Sequence, residues 1–264
     1  MQILKRIADH SLPVNIALSL QRFSQRIIRN HMQYHFDDAT RNGEYWILSK
    51  LAPSCSRFVD VGGNLGDFSA AFLSKSPAAS GLIFDPGESA SDKLAARFAD
   101  TPSVRVIRKA ISDFFGRTKF FEEANTGLAS SLAKGWAHPD ARCTEVDVTT
   151  LDTELAAWGG ADYVKIDAEG HDLAALRGAA GLLSAGSIRF IQFEYHTAWV
   201  FAGATLRAAL DFLASFGYRT FLLKGEGLYE PNYEAHGEYF SYSNYFAVRS
   251  DDAKLISVYV KGRI

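Results

Sequence analysis

A chain of 264 residues, 47% apolar and 22% charged with a formal charge of -2, falls within the range of one ordinary globular domain, which argues against disordered and fibrous architectures. Its 28 lysines and arginines against 30 aspartates and glutamates create no global field that would gather a phosphate backbone, so nucleic acid is not an expected partner. Cys55 and Cys143 stand far apart with no CxxC neighbour. That usage excludes a disulfide framework and the usual structural zinc site, and it fits a reducing, cytoplasmic setting. No apolar run approaches the roughly 18 residues of a transmembrane helix, and the opening residues, interrupted by Pro13, do not read as a signal peptide.

Residues 1–52 read as an N-terminal helical extension. Ile16, Leu20, Phe23 and Ile27 recur at helical spacing, and Arg22, Arg26 and Arg29 gather on another side. The expectation is a packed helix with a solvated basic face; contact with a membrane surface or an acidic partner is the competing reading. From Arg57 onward, short β-rich runs alternate with helical stretches: RFVDV, GLIFD, VRVIRKAIS, DYVKIDA, SIRFIQFEY, YRTFLLK and NYFAVRS. Several are apolar throughout, as strands covered on both faces should be, and the alternation predicts a mostly parallel sheet with right-handed crossovers. The last two runs are joined by a Gly- and Tyr-rich connection in place of a helix, which predicts a terminal antiparallel hairpin near 218–224 and 244–249. The second domain is thus expected over residues 53–264.

Directly after the first run comes Asp60-Val61-Gly62-Gly63-Asn64-Leu65-Gly66, followed by a helical pattern. Such a turn lets the backbone approach a ligand and offers free helix N–H groups. The dinucleotide pattern G-x-G-x-x-G fails in this register, because Asn64 and Asp67 occupy the second and third glycine positions. A nucleotide-dependent oxidoreductase is therefore the weaker alternative.

The pattern D-x-G-x-N-x-G instead resembles the first motif of class I methyltransferases, whose ligand S-adenosylmethionine carries no phosphate. Asp60 would then accept from its ammonium, with Gly62, Gly63, Asn64 and Gly66 forming the cradle. Asp85, 25 residues after Asp60, would take the ribose hydroxyls, and Ser112 and Asp113 would reach the adenine. A turn or helix-cap role competes at each position.

The run Tyr163-Val164-Lys165-Ile166-Asp167-Ala168-Glu169-Gly170-His171-Asp172, together with VDVGGNLGDFS, AISDFFG and the TLD of residues 150 to 152, resembles the FkbM family of S-adenosylmethionine-dependent methyltransferases over about residues 57–195. Where that family usually carries Glu after the second strand, this chain has Asp85. The resemblance implies a Rossmann-like class I fold with a seven-stranded sheet, and O-methylation of a sugar, glycan or natural-product hydroxyl. Methyl transfer to oxygen needs alignment and removal of the hydroxyl proton. Asp167 and His171 are the candidate bases, against a cap role for Asp167 and a packing role for His171; Glu194 offers a further carboxylate, with Glu169 and His196 as substrate partners. Asp167, Glu169 and Asp172 make an acidic cluster too dense for capping alone.

Ser130 and Ser131, in the stretch Asn125 to Leu132, would hydrogen-bond a hydroxylated acceptor. Tyr229, Tyr233, Tyr239, Tyr242 and Tyr245 crowd into the terminal connection beside Glu226, Glu230 and Glu238, either facing a carbohydrate or packing the hairpin. A divalent cation held by Asp167 and Glu194, with His196, is a second mechanism; direct proton removal without a metal is preferred. A module that binds the cofactor without catalysis would keep Asp60, Gly62 and Asp85 yet lose the cluster at Asp167, which is intact.

Overall fold

The computed structural model describes residues 11–32, 38–123 and 130–264. It begins with helix α1 (Ser11–Met32), then α2 (Glu44–Leu51). The core alternates β1 (Arg57–Val61), α3 (Asp67–Lys75), β2 (Ser80–Phe84), α4 (Glu88–Arg97) and β3 (Val104–Ile107). After β4 (Ala110–Ile111) and the hairpin strands β5 (Gly116–Glu122) and β6 (Arg142–Thr149) come α5 (Leu151–Glu154), β7 (Ala161–Ile166), α6 (Asp172–Arg177), α7 (Ala180–Ser184) and β8 (Ile188–Tyr195). The chain closes through α8 (Ala198–Phe201), α9 (Leu206–Ser215), β9 (Tyr218–Lys224), β10 (Gly227–Glu230), α10 (Tyr233–His236), β11 (Ser243–Arg249), α11 (Ala253–Ile256) and β12 (Val260–Arg263).

Among the described residues the main sheet has nine strands in the order β12-β10-β9-β11-β8-β7-β1-β2-β3. Six of the seven expected runs lie in it, with the first part of the remaining one, VRVIRKAIS. β3, β2, β1, β7 and β8 are parallel, and β11 runs antiparallel between β8 and β9, as the expected terminal hairpin requires. The expectation of seven strands is corrected by β10 and β12, which extend the β9 edge. Each spans only four residues, β12 is largely exposed, and neither carries an apolar run that would mark it. VRVIRKAIS is also not one strand: β3 ends at Ile107, and β4 joins a second sheet of order β4-β6-β5.

Alternation along the covered strands divides the core. Val59, Leu82, Val164, Ile191 and Phe193 face one layer with α6 and α9. Phe58, Tyr163, Phe190 and Phe246 face the other, where the rings of Phe58 and Phe72 stack at 4.5 Å. Ile47, Leu48 and Leu51 of α2 are buried in this second layer, so residues 44–52 cover the sheet and do not stand apart as an extension. The TLD segment also serves the fold: Thr150 caps α5, and Asp152 accepts from the N–H groups of Gly181 and Leu182 at the start of α7, both at 2.8 Å.

Helix α1 departs from expectation. Ile16, Leu20, Phe23 and Ile27 are 54–64% exposed, so the helix is not packed along its apolar side. Near its end Met32 is buried in the core. Among the described residues, no helix is long and apolar enough to cross a membrane.

Candidate active site

The carboxyl ends of β1, β2, β7 and β8 open into a cavity of about 1000 Å³, at the edge where ligands of open α/β sheets collect. The small sheet closes it from the side through Phe120 and Glu122 of β5 and through Ser130, Ser131, Trp136 and Arg142. Ser131 is bridged to Phe121, and its hydroxyl donates to the Glu169 carbonyl at 2.7 Å. Ser130 and Ser131 both line the cavity; residues 124–129 of the same stretch lie outside the described residues.

Gly62, Asn64 and Asp85 line the cavity from the ends of β1 and β2. Asp85 accepts from the backbone N–H of Asn64 and of Gly87, each at 2.9 Å, one on each carboxylate oxygen. A carboxylate oxygen has two acceptor sites, which leaves capacity for a diol on the cavity side. Burial pushes the Asp85 carboxyl up to about 6, against the two N–H bonds that lower it.

The glycine turn works differently from expectation. Gly62 has φ +79, and a Cβ there would lie 1.8 Å from the Asp167 carbonyl oxygen, so it is the approach of the β7 end, more than the ligand, that demands glycine. Gly63 and Gly66 are off the wall, packed against Ile83, Leu94 and Phe98. Asp60 is also off the wall: it is fully buried, one oxygen takes the Ser69 hydroxyl at 2.6 Å, and the other has no hydrogen-bond partner among the described residues. Ser112 is buried, Asp113 is exposed, and neither lines the cavity; Lys109, Ala110 and Ile111 do.

The ends of β7 and β8, beside β1, bring Asp167, Glu169, His171, Glu194 and His196 to the same cavity. Lys165 donates to Asp167 at 3.0 Å from beneath. Burial alone would raise the Asp167 carboxyl, but the Lys165 ammonium, then the hydrogen bond from Glu194, hold it below the usual carboxylate range. Its neighbours go the other way. Burial, then the Asp167 charge, push Glu169 up to about 9 and Glu194 well above the usual range. The Lys165 ammonium thus favours the charge on Asp167, with the Glu194 carboxyl hydrogen-bonded to it.

Trp136 donates its indole N–H to Glu169 at 3.0 Å, and its ring meets His196 edge-on at 5.2 Å. The His196 Nε2 lies 3.5 Å from Glu169 and 3.7 Å from Glu194. Burial lowers both His171 and His196, with Asp113 and Asp167 respectively opposing, which keeps both imidazoles neutral. Asp172 corrects the reading of a three-member acidic cluster: it is fully buried, off the wall, and accepts from the N–H groups of Ala168 and Gly170 to hold the turn. Among the described residues no group of three or more His, Cys, Asp and Glu side chains takes an arrangement that could hold a metal ion.

Sequence reasoning missed Lys165 and Trp136. A lysine inside the apolar run DYVKIDA is a signal in itself, since an unpaired buried ammonium is costly; Trp136, in an irregular segment, gave none. Of the tyrosines, Tyr242 reaches the cavity, whereas Tyr239 and Tyr245 bond each other at 2.9 Å inside the hairpin packing and Tyr229 belongs to β10.

Among solved structures, precorrin-6y C5,15-methyltransferase from Geobacter metallireducens shares 11% identity over 78% of this chain and 88% of its own, with a TM-score of 0.42. An O-methyltransferase family protein from Burkholderia thailandensis shares 13% over 78% and 55%, at 0.43. An O-methyltransferase from neocarzinostatin biosynthesis, solved with S-adenosylmethionine, shares 15% over 88% and 58%, at 0.42. This chain spans little more than half of the latter two. No protein among those with curated functions matches it significantly in sequence. The family described as "Methyltransferase FkbM domain" matches residues 60–220, more than half of the chain, from the end of β1 into β9, and so takes in most of the residues that line the cavity. The chain belongs to the FkbM family of S-adenosylmethionine-dependent methyltransferases.

Proposed function

We propose that this methyltransferase acts on a hydroxyl of a polyhydroxylated small molecule or glycan, with Asp167 as the proton acceptor. The observation that carries the reading is Asp167, held by the Lys165 ammonium at 3.0 Å, beside Glu169 and Glu194 in the same cavity that the diol-suited Asp85 lines. Carboxyl groups accept, and donate when protonated, and the Ser130 hydroxyl does both, so this wall suits an acceptor rich in hydroxyl groups.

The cofactor supplies an electrophilic methyl group. Asp85 fits its ribose, and Gly62 and Asn64 let the backbone approach it. Proton removal falls to the carboxyl groups at the ends of β7 and β8. As the new C–O bond forms, the hydroxyl proton becomes strongly acidic, so a carboxylate of low pKa suffices to take it. Lys165 keeps Asp167 charged before that step, and Glu194 orients it by its hydrogen bond. His171, neutral and on the wall, is the alternative base; its Nδ1 is buried without a hydrogen-bond partner among the described residues. Labelled methyl transfer from S-adenosylmethionine to a panel of sugars and hydroxylated natural products tests the reading. Incorporation into an alkali-stable ether, lost in Asp167→Asn with cofactor affinity retained, is the expected outcome; methylation of nitrogen or carbon overturns it.

A further inference from the structure

Helix α1 carries an apolar stripe that no other described element covers. At about 100° per residue, Ile16, Leu20, Phe23 and Ile27 fall within one narrow arc, and Leu20 and Phe23 are 64% and 63% exposed. Arg22, Arg26 and Arg29 form the neighbouring arc, and Ser11–Met32 contains neither Asp nor Glu. The end of the helix is tied to the body: Met32 lies in the core and Arg29 lines the cavity.

A second copy of the chain is one possible cover, since the stripe has the alternating spacing of a coiled-coil seam. That seam covers under two heptads, where a stable coiled coil sustains at least about three. Self-pairing would also bring arginines to a helix that offers no carboxylate. What the helix lacks is negative charge beside an apolar layer. A bilayer interface with anionic headgroups supplies both, and a basic amphipathic helix bearing Phe, Leu and Ile suits it.

We propose that the chain docks through α1 onto an anionic lipid bilayer surface. The helix lies in the plane of the interface, its apolar stripe at the acyl boundary and its arginines on the phosphate-bearing headgroups. Arg29 then sets that surface beside the cavity. The docking does not depend on the acceptor chemistry proposed above: lost methyl transfer with vesicle binding retained would sink that reading and leave this one standing.

Flotation of the full chain with vesicles of phosphatidylcholine, alone or containing phosphatidylglycerol, tests it. Binding is expected only to the anionic vesicles and should fall with added salt. The paired variant Leu20→Gln/Phe23→Gln should lose it, and Arg22→Gln/Arg26→Gln should bind about thirtyfold more weakly, two charges at the usual contribution each. Both pairs alter exposed side chains outside the cavity, so an unchanged Tm and S-adenosylmethionine affinity confirm that they fold. Equal binding to both vesicle types, binding to neither, or binding untouched in both variants overturns the proposal. So does a wild-type dimer that Phe23→Gln converts to a monomer, which would give the stripe to a second copy.

Discussion

Replacing Asp85 by Asn changes one charge and almost no volume, at a wall position where each carboxylate oxygen already accepts one backbone N–H, from Asn64 and from Gly87. The amide has one acceptor oxygen, so an N–H of the turn is left facing an NH₂ group, and the charge-assisted bonds expected from the cofactor ribose are lost. Hydrogen bonds to a charged group contribute about 1.5 to 3 kcal/mol each. Allowing for a neutral bond that survives, the loss is about 1 to 3 kcal/mol, roughly 5- to 150-fold in Kd. Titration calorimetry with S-adenosylmethionine and S-adenosylhomocysteine reads this directly. The pH dependence makes the test sharper. Burial holds the free Asp85 carboxyl up to about 6, so below that pH the proton must leave before the ionised form can bind. Wild-type affinity should therefore weaken as pH falls from 7 toward 5, by up to about tenfold per unit, while the Asn variant stays flat across the same range. The two Kd values converge at low pH. A variant that binds as tightly as the wild type at pH 7, or a wild type whose affinity is insensitive to pH, would refute the assignment of Asp85 to the cofactor.

Gly62→Ala should destabilise the whole domain, because its Cβ would lie 1.8 Å from the Asp167 carbonyl at a φ of +79; a cost of about 3 kcal/mol lowers Tm by roughly 6 to 12 °C, and an unchanged melting curve would contradict the packing argument. Lys165→Met removes the cation that holds Asp167 down, so burial raises that carboxyl; the acid limb of the rate profile should move to higher pH, and an unmoved limb would show that Asp167 is not the titrating base. Asp167→Asn should cut turnover by about 10²- to 10⁴-fold with S-adenosylmethionine affinity retained, as calorimetry and labelled transfer measure side by side. Activity should survive EDTA; if chelation abolishes turnover and Mg²⁺ restores it, proton removal runs through a metal and the direct-base mechanism fails.

The family and the strand order of the chemistry were legible because they rest on local pattern. Runs such as RFVDV and FIQFEYH are apolar enough to mark strands covered on both faces, and the residues that close them, Asp85, Asp167, Glu194 and His196, fall at the carboxyl edge by chain direction alone. The same local logic failed where an environment is built from distant parts. Asp60 opens the glycine motif yet points beneath it toward Ser69 and away from the cavity, because its place in β1 alternates with that of the wall residue Val61. Asp172 sits in the dense acidic string but turns back to hold Ala168 and Gly170. Alternation and turn geometry, which depend on register, decided both.

The order of strands and helices, the glycine turn and the acidic closures follow from periodicity and residue chemistry that any short window of this chain contains. Two further matters lay beyond such windows. One is charge preference: Asp167, Glu169 and Glu194 are equivalent carboxyls on paper, and only the placement of Lys165 beside the first and the burial of all three moves the first carboxyl down and the other two up. The other is cover: the stripe of Ile16, Leu20, Phe23 and Ile27 has the spacing of a buried helix face, but burial is a property of what lies opposite, and here no other described element does.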